Sequence, residues 1–342
     1  MSSVRTRRPT QADVAQIASV SQAVVSYVLN GDRSRSVAPD TRQRVLAAVA
    51  ELGYVPDRTA RSLRQRRTFT IAGIIPDITN PFYPAFERGV QDVAEAHGYD
   101  LITYNTDGKR DKELRAIRSV REGRLDGVIL TGFHLTLEDV LPLVADGIAV
   151  VFNGEAGFDP VAAGIDQVRI DNALAAETIV TWLLDRGHTR VGMIAGEEGT
   201  FPREGRVRGY TRALAQRAIP LDPILVRSAE FSVAGGYEAT GDLLQLDLRP
   251  TALFAANDLM AMGAMIRLRE AGLRIPEDIA VAGYDDIPAA QLVQPALTTI
   301  AQYPEQIGRR AAEMIVARLA GTRPDGARCD VLPFELIVRN SA

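Results

Sequence analysis

"VSQAVVSYVLNGD", residues 20–32, divides by face when wound as a helix. At about 100° per residue, Gln22, Ala23, Ser26 and Tyr27 fall on one half-turn and Val24, Val25, Val28 and Leu29 on the other. So short a stretch is no core of its own, and its valine face needs neighbours. Ser21 suits an N-cap, its hydroxyl accepting from an orphan backbone N–H, and Asn30-Gly31 is a natural stop. Upstream, Thr10-Gln11-Ala12-Asp13 reads as a capping box with Asp in place of Glu. It opens a helix through about Ala18, whose Val14, Ile17 and Ala18 can meet the valines. Ala18-Ser19-Val20-Ser21 is then a tight turn. Downstream, Pro39-Asp40-Thr41 starts a third helix, in which Val45, Leu46, Val49 and Leu52 recur at helical spacing before Gly53 ends it. Three short helices share one small core, and the polar face of the second points outward.

Charge singles out the same region. Residues 1–67 hold 12 arginines against 5 acidic residues, whereas the rest of the chain holds 27 basic and 38 acidic ones. A basic head on an acidic body is the asymmetry of a nucleic-acid-binding module joined to something else. Helix, tight turn, helix is the arrangement whose second helix enters the DNA major groove. On the outward face Gln22 can pair with adenine, Ala23 can touch a thymine methyl, and Tyr27 can hydrogen-bond or pack. Arg5, Arg7, Arg8, Arg42 and Arg44 would hold phosphates, which positions the module without reading sequence. One such module binds weakly, so two are expected across a pseudo-palindrome. The segment "PDRTARSLRQRRT" (56–68) has one large apolar residue, Leu63. It reads equally as a basic linker or as a short helix that orders on DNA and wedges Leu63 into a minor-groove step.

At 342 residues and 46% apolar, the chain can hold two or three domains. From Phe69 onward, short apolar runs alternate with helical patterns: "TIAGIIPD", "YDLITYNTD", "LDGVILTG" and "IAVVFNG", then "RVGMIAG", "ILVRSAEF", "TALFAAND" and "IAVAGYDD". This is the rhythm of a parallel sheet covered by helices on both faces. Two sets of four predict a body of two doubly wound subdomains. "GIDQVRIDNA" (164–173) reads as the dip between them, and "TTIAQ" and "ELIVRNS" as strands crossing back. The boundaries expected are a helix-turn-helix domain over 1–56, a hinge over 57–68 and a ligand-binding, dimerising domain over 69–342. Within the last, one subdomain takes about 69–167 and 298–329, the other about 168–297 and 330–340.

Open parallel sheets bind ligands beyond the carboxyl ends of their strands. Those ends are polar in this sequence: Asp77, Asn80, Asn105, Asp107, Asn153, Asn257, Asp258, Asp285 and Asp286, with Phe82, Tyr83 and Phe231 nearby. Carboxamides and carboxylates around a few aromatics suit a neutral polyhydroxy ligand. The sequence lacks a G-x-S-x-G elbow, a Walker A loop and a G-x-G-x-x-G fingerprint, so phosphate-cradle and hydrolase chemistries have no motif to rest on, and no catalytic residue is assigned. His97, His134 and His188 are scattered without metal-ligand spacing, so neither metal nor cofactor is expected. A lone Cys329 allows no intrachain disulfide and reads as an inert, half-buried thiol in a reducing cytoplasm. No run approaches the roughly 18 apolar residues of a membrane span, and the start of the chain has no signal-type apolar region.

These stretches resemble the LacI-type transcriptional repressors. In the head the likeness lies in "ADVAQIASVSQAVVSYVLNG", "TRQRVLAAVAELGYVP" and "ARSL". In the body it lies in "NPFY", "DGVIL", the "DN" at 171–172, "RGH", "RVRGY", "ANDLMAMG", "GLRIPEDIAVAGYDD" and "PALTTI". The resemblance implies a small all-α helix-turn-helix head on a periplasmic-binding-protein-like α/β body. It also implies a homodimer on double-stranded operator DNA under the control of a small effector, not an enzyme. Gln22, Ala23 and Tyr27 match base-reading positions, Leu63 the hinge leucine that wedges into the operator. Thr10, Ser21, Ser26, Asn30, Arg42 and Arg61 are the backbone contacts expected. Arg206, Asn257 and Asp285 match positions holding hydroxyls in sugar-binding members, and Phe82, Tyr83, Asn153 and Phe231 match further lining positions. Asn257, with Thr200 and Pro202 where purine-binding members carry Arg and Thr, points to a carbohydrate rather than a nucleobase or nucleoside. A sugar-binding transport protein on the same body would not carry the basic head. The loop "GDRSRS" is longer than usual, and no heptad tail follows the last strand, so a dimer is expected rather than a tetramer.

Overall fold

The computed structural model describes residues 9–30, 37–55, 67–123, 125–322 and 326–342, and the chain forms two compact units, Met1–Thr68 and Phe69–Ala342. Arg61, Leu63, Arg5, Arg7, Arg8 and the "GDRSRS" loop lie outside the described residues.

The first unit is built from α1 (Gln11–Ile17), α2 (Gln22–Asn30) and α3 (Pro39–Leu52). Thr10 and Asp13 form the capping box: Asp13 accepts from the Thr10 N–H at 2.7 Å, and the Thr10 hydroxyl accepts from the Asp13 N–H at 3.4 Å. Ser21 caps α2, its hydroxyl accepting from the Val24 N–H at 3.3 Å. Between them the chain changes direction by 103°, within the range of helix-turn-helix pairs. Val14, Ala18, Val25, Val28 and Val45 are buried together, with Ala15 and Ala48 filling the close contacts. Two expected core positions turn outward: Ile17 is 44% and Leu46 49% exposed. Helices this short bury only a narrow stripe, and alanines take the places nearest the partner helix.

The second unit has two lobes, each a parallel sheet between helices. The first sheet has the order β11-β5-β4-β3-β1-β2. Its strands are β1 (Thr70–Ile75), β2 (Asp100–Asn105), β3 (Gly127–Leu130), β4 (Ala149–Asn153), β5 (Asp166–Arg169) and β11 (Cys329–Val331), paired in parallel throughout. Alternate residues of each strand serve opposite faces. Ile71, Ile75, Ile129, Val151 and Val168 meet α4 (Phe82–Ala96) and α11 (Pro304–Leu319), while Ala72, Ile74, Val128, Leu130 and Phe152 meet α5 (Arg110–Glu122) and α6 (Leu137–Ala145). The α4 and α11 axes come close at Gly89 and Gly308. A Cβ on Gly308 would overlap the Phe86 carbonyl oxygen.

The second sheet has the order β7-β6-β8-β9, formed by β6 (Val191–Ile194), β7 (Val226–Arg227), β8 (Ala252–Ala255) and β9 (Ala280–Ala282). One face packs on α7 (Asn172–Asp185) and α8 (Phe201–Gln216), the other on α9 (Val233–Leu244) and α10 (Asp258–Glu270).

Strand β10 (Thr299–Ala301) pairs antiparallel with β12 (Glu335–Ile337). It continues the second lobe through Gly283 N–H to Thr298 O and Asp285 N–H to Ile300 O, both 2.8 Å. The chain therefore returns to the first lobe after residue 301 rather than before 298, since β10 has its hydrogen-bonding partners in the second lobe. Residues 164–173 contain a strand, β5, and not a dip: its Asp166 is buried and accepts from Arg318 Nε at 2.6 Å and from the Arg328 N–H at 3.0 Å. Cys329, at the outer edge of that sheet, is an exposed free thiol rather than a half-buried one.

Candidate functional site

In the head, Gln22 and Ala23 are exposed on the first turn of α2, and Ser26 and Tyr27 are half-buried one turn on. Asn30 is the last residue of α2. Arg42 is exposed on α3. Thr10 and Ser21 sit at the two helix starts, their hydroxyls already engaged in capping. A helix N-terminus collects unpaired N–H groups, so both positions suit an anionic phosphate.

The body's site follows from topology. In both sheets the order reverses beside the first strand of the lobe, between β1 and β3 and between β6 and β8. Loops from the carboxyl ends of such strands diverge and leave a crevice. The two crevices face one cavity of about 100 Å³, whose walls include Phe82, Tyr83, Asn153, Arg206, Phe231, Asn257 and Asp285. All seven effector positions expected from the sequence are thereby brought together. Asp77 and Asn80 line it too, but Asn105 and Asp107 do not. They shape an outer loop instead, where Asn105 accepts from the Ile78 N–H at 2.7 Å and Asp107 pairs with Lys112.

Asp285 is the buried acid of the cavity, held at φ 119°, with Gln302 donating to its Oδ1 at 2.5 Å. Burial pushes its carboxyl up to about 6, against the pull of the Arg206 guanidinium. Arg206 lies over the Tyr284 ring at 3.9 Å and donates to Asn172 Oδ1 at 3.1 Å and to the Ala256 carbonyl. Asn172 also accepts from the Tyr284 hydroxyl at 3.0 Å, so it sets the angle of the guanidinium. Asn257 caps α10 by accepting from the Met260 N–H at 2.8 Å, and its Nδ2 donates to Phe231 O at 3.2 Å. A carboxamide has two donors and two lone pairs, so capacity remains for a ligand. Asn153 donates to Thr131 Oγ1 at 3.0 Å. Burial, and then the charge of Asp285, raise the Tyr83 hydroxyl well above its ordinary range, so it stays a neutral donor.

Aromatic rings close the cavity. Phe82 and Tyr83 meet edge to face at 5.1 Å, and Phe133 of the first lobe meets Phe231 of the second at 5.7 Å. Phe231 lies where a Cβ on Gly196 would be, and Gly196 has φ +85°, so both space and backbone call for glycine there. Phe133 is positioned by a buried acid, Glu113, which accepts from its N–H at 2.6 Å. The strand-end pattern did not single out Asn172, Gln302, Phe133 or Glu155. "DN" at 171–172 and the Gln closing "TTIAQ" were the available signals. Asp258 is a strand-end acid of another kind: fully buried, it accepts from Thr299 Oγ1 at 2.6 Å and the Ile287 N–H at 2.9 Å, tying the Asp285 loop to β10. Among the described residues no cluster of His, Cys, Asp and Glu is arranged to hold a metal ion, and no single helix is long and apolar enough to cross a membrane.

A helix-turn-helix head carried with a two-lobed body that surrounds a small polar cavity defines a class of ligand-responsive transcriptional regulators. Residues 10–57 match bacterial regulatory proteins of the lacI family, and residues 180–342 match a periplasmic binding protein-like domain. The ribose operon repressor of Escherichia coli (strain K12) is 34% identical over 335 residues, 97% of this chain and 99% of that protein. The HTH-type transcriptional repressor PurR of Vibrio vulnificus (strain CMCP6) is 35% identical over 97% of this chain and 98% of its own length. Among solved structures, the lac repressor dimer bound to operator and the anti-inducer ONPF aligns with a TM-score of 0.86 at 26% identity, covering 98% of this chain and 99% of that one. The chain belongs to the lacI family of bacterial regulatory proteins.

Proposed function

We propose that this protein is a cytoplasmic, homodimeric repressor whose operator affinity is set by a sugar bound between the lobes of the body, and that it catalyses no reaction. The observation that carries the effector reading is the cavity wall. A buried carboxylate (Asp285), a guanidinium (Arg206) and carboxamides (Asn153, Asn257) stand among aromatic rings, with Asp77 and Glu155 as further acceptors on the wall. That is the chemistry of a neutral ring bearing hydroxyls, each of which needs both a donor and an acceptor. The similarity to a ribose operon repressor supports it.

On DNA, the exposure of Gln22 and Ala23 and the position of Tyr27 support direct base reading from the major groove. Thr10, Ser21, Ser26, Asn30, Arg42 and Arg61 take the phosphates, and Leu63 takes the minor-groove step. The lac repressor dimer on its operator supports this arrangement as a pair. Ligand control follows if the effector binds one arrangement of the dimer better than another. The coupling is then reciprocal, and operator DNA changes effector affinity by the same factor.

A nucleobase or nucleoside effector is the second reading, favoured by the likeness to PurR. A thermal-shift screen of the full chain separates the two. A ligand at about 100 times its dissociation constant adds about 2.7 kcal/mol to the folded state. Stabilisation by sugars but not by hypoxanthine, guanine or nucleosides is expected, and the reverse pattern would overturn the sugar reading.

A further inference from the structure

The lobes of the body meet on two sides of the Asp285 cavity. One meeting is apolar, Phe133 against Phe231 at 5.7 Å. The other joins the loop after β4 to α8, and it carries charge. Glu155 of the first lobe accepts from Arg208 Nη2 of the second at 3.1 Å, and its side chain is 15% exposed where that of Arg208 is 52% exposed. Two glycines permit so close an approach. A Cβ on Gly205 would lie 2.5 Å from Glu155 Oε2, and one on Gly157 would lie 2.9 Å from the Phe201 ring.

The chain itself ties this seam to the cavity. Arg208 stands two residues after Arg206 on α8, and Glu155 two residues after Asn153. The seam therefore sets the spacing between a cavity guanidinium in one lobe and a cavity carboxamide in the other. Closing the lobes covers Glu155, and a covered carboxylate needs a counter-charge. Burial raises its carboxyl above the ordinary range, Arg208 and then Arg169 on β5 oppose the rise, and Asp171 adds to it. Glu204 on α8 lines the same hollow but pairs with Arg203 at 2.9 Å, and Arg206 and Asp285 lie on the cavity side. Among the described residues, Arg208 is the group that bonds the Glu155 side chain from the opposite lobe.

We propose that Arg208 is a positioning residue for lobe closure: by neutralising Glu155 it lets the two lobes seal beside the cavity, and without it Glu155 holds them apart. The seam acts whatever ligand the cavity takes. Double electron–electron resonance on the full chain tests it. Spin labels go on Glu138→Cys of α6 and Arg212→Cys of α8, both exposed positions, in a Cys329→Ser background, with excess unlabelled chain so that each dimer carries one labelled protomer. At pH 7.5 Arg208→Gln should lower the ratio of closed to open lobes about three- to tenfold, the effect of leaving a partly covered charge unpaired. Arg208→Lys, which keeps the charge and loses the fork, should fall between. Combining Glu155→Gln with Arg208→Gln should return the ratio to near the wild-type value, because a neutral pair has no charge to desolvate. Acid should also restore closure in Arg208→Gln alone: a proton then takes the place of the arginine, and the closed arrangement, which raises the carboxyl, is the one that takes it up. Asp285 titrates in every variant, so the double variant gives its share of the change between pH 7.5 and pH 5.0, and the excess belongs to Glu155. An unchanged ratio in Arg208→Gln, or a double variant as open as the single one, would overturn the proposal. So would an equal response to pH in the single and double variants.

Discussion

Asp285→Asn should make the ligand-free protein more stable at neutral pH while weakening its hold on the effector. Lifting a carboxyl from about 3.9 to about 6 costs its ionised form about 3 kcal/mol in the folded state. The rise comes first from burial, with Arg206 opposing it. An acid whose folded value is raised contributes stability that is full below the unfolded value and lost as pH rises through the folded one. Wild type therefore loses this contribution between about pH 4 and 6, and the asparagine variant does not. The amide still accepts from Gln302, but more weakly than a carboxylate does, so a net gain of about 1–2 kcal/mol at pH 7.5 is expected, or several degrees in melting temperature for a domain of this size. Melting at pH 7.5 and pH 5.0 checks it: the gap should shrink by about half at the lower pH, midway through that window. A variant that melts below wild type at pH 7.5, by a margin unchanged at pH 5.0, would refute burial of the charge as the cause. Calorimetry should show weaker sugar binding, because a neutral amide offers hydroxyl donors a poorer acceptor than a carboxylate.

Gly308→Ala should destabilise the body by about 1–3 kcal/mol, because the added methyl meets the α4 backbone at Phe86 and neither helix can shift without disturbing the first sheet; denaturant melts would show it, and an unchanged midpoint would contradict the close approach. Gln22→Ala should relax operator preference at about one base pair per half-site, by about 1–3 kcal/mol in competition binding against single-base variants. A uniform loss over all sequences would instead make Gln22 a backbone contact. For the dimer, neutralising about 6–8 phosphates predicts a log–log salt slope of roughly −5 to −7 in operator binding, and a slope near zero would remove the DNA reading.

The head was legible because each of its devices is local: the capping box, the Ser21 cap and the split faces of α2 all lie within a few residues of one another. Its errors at Ile17 and Leu46 concern how wide a stripe each short helix buries, which only the partner helix decides. In the body the buried strands announced themselves as apolar runs, but Asp-Gln-Val-Arg at β5 did not. That strand hides an acid whose partner, Arg318, stands 152 residues away, and sequence spacing carries no trace of such a pair. The same limit explains the site. Residues that stand at strand ends, such as Asn153, Asn257 and Asp285, were readable from the rhythm of the sheet. Asn172 and Gln302 touch the cavity because they orient Arg206 and Asp285, and that support depends on three-dimensional neighbours.

The first lobe is closed by late segments of the chain: α11 lies against α4, and β11 pairs with β5 at the sheet edge. The second sheet draws its four strands from one uninterrupted stretch, Val191 to Ala282. On a ribosome the lobe made first must therefore wait, its α11-facing side uncovered, until more than a hundred further residues have emerged. The lobe made second already has its sheet in hand. Its core is nonetheless finished only by β10, β12 and Ser341, so both lobes wait for the last part of the chain, and until α11 emerges the Ile71, Ile129 and Val151 face is where a chaperone would meet the nascent chain.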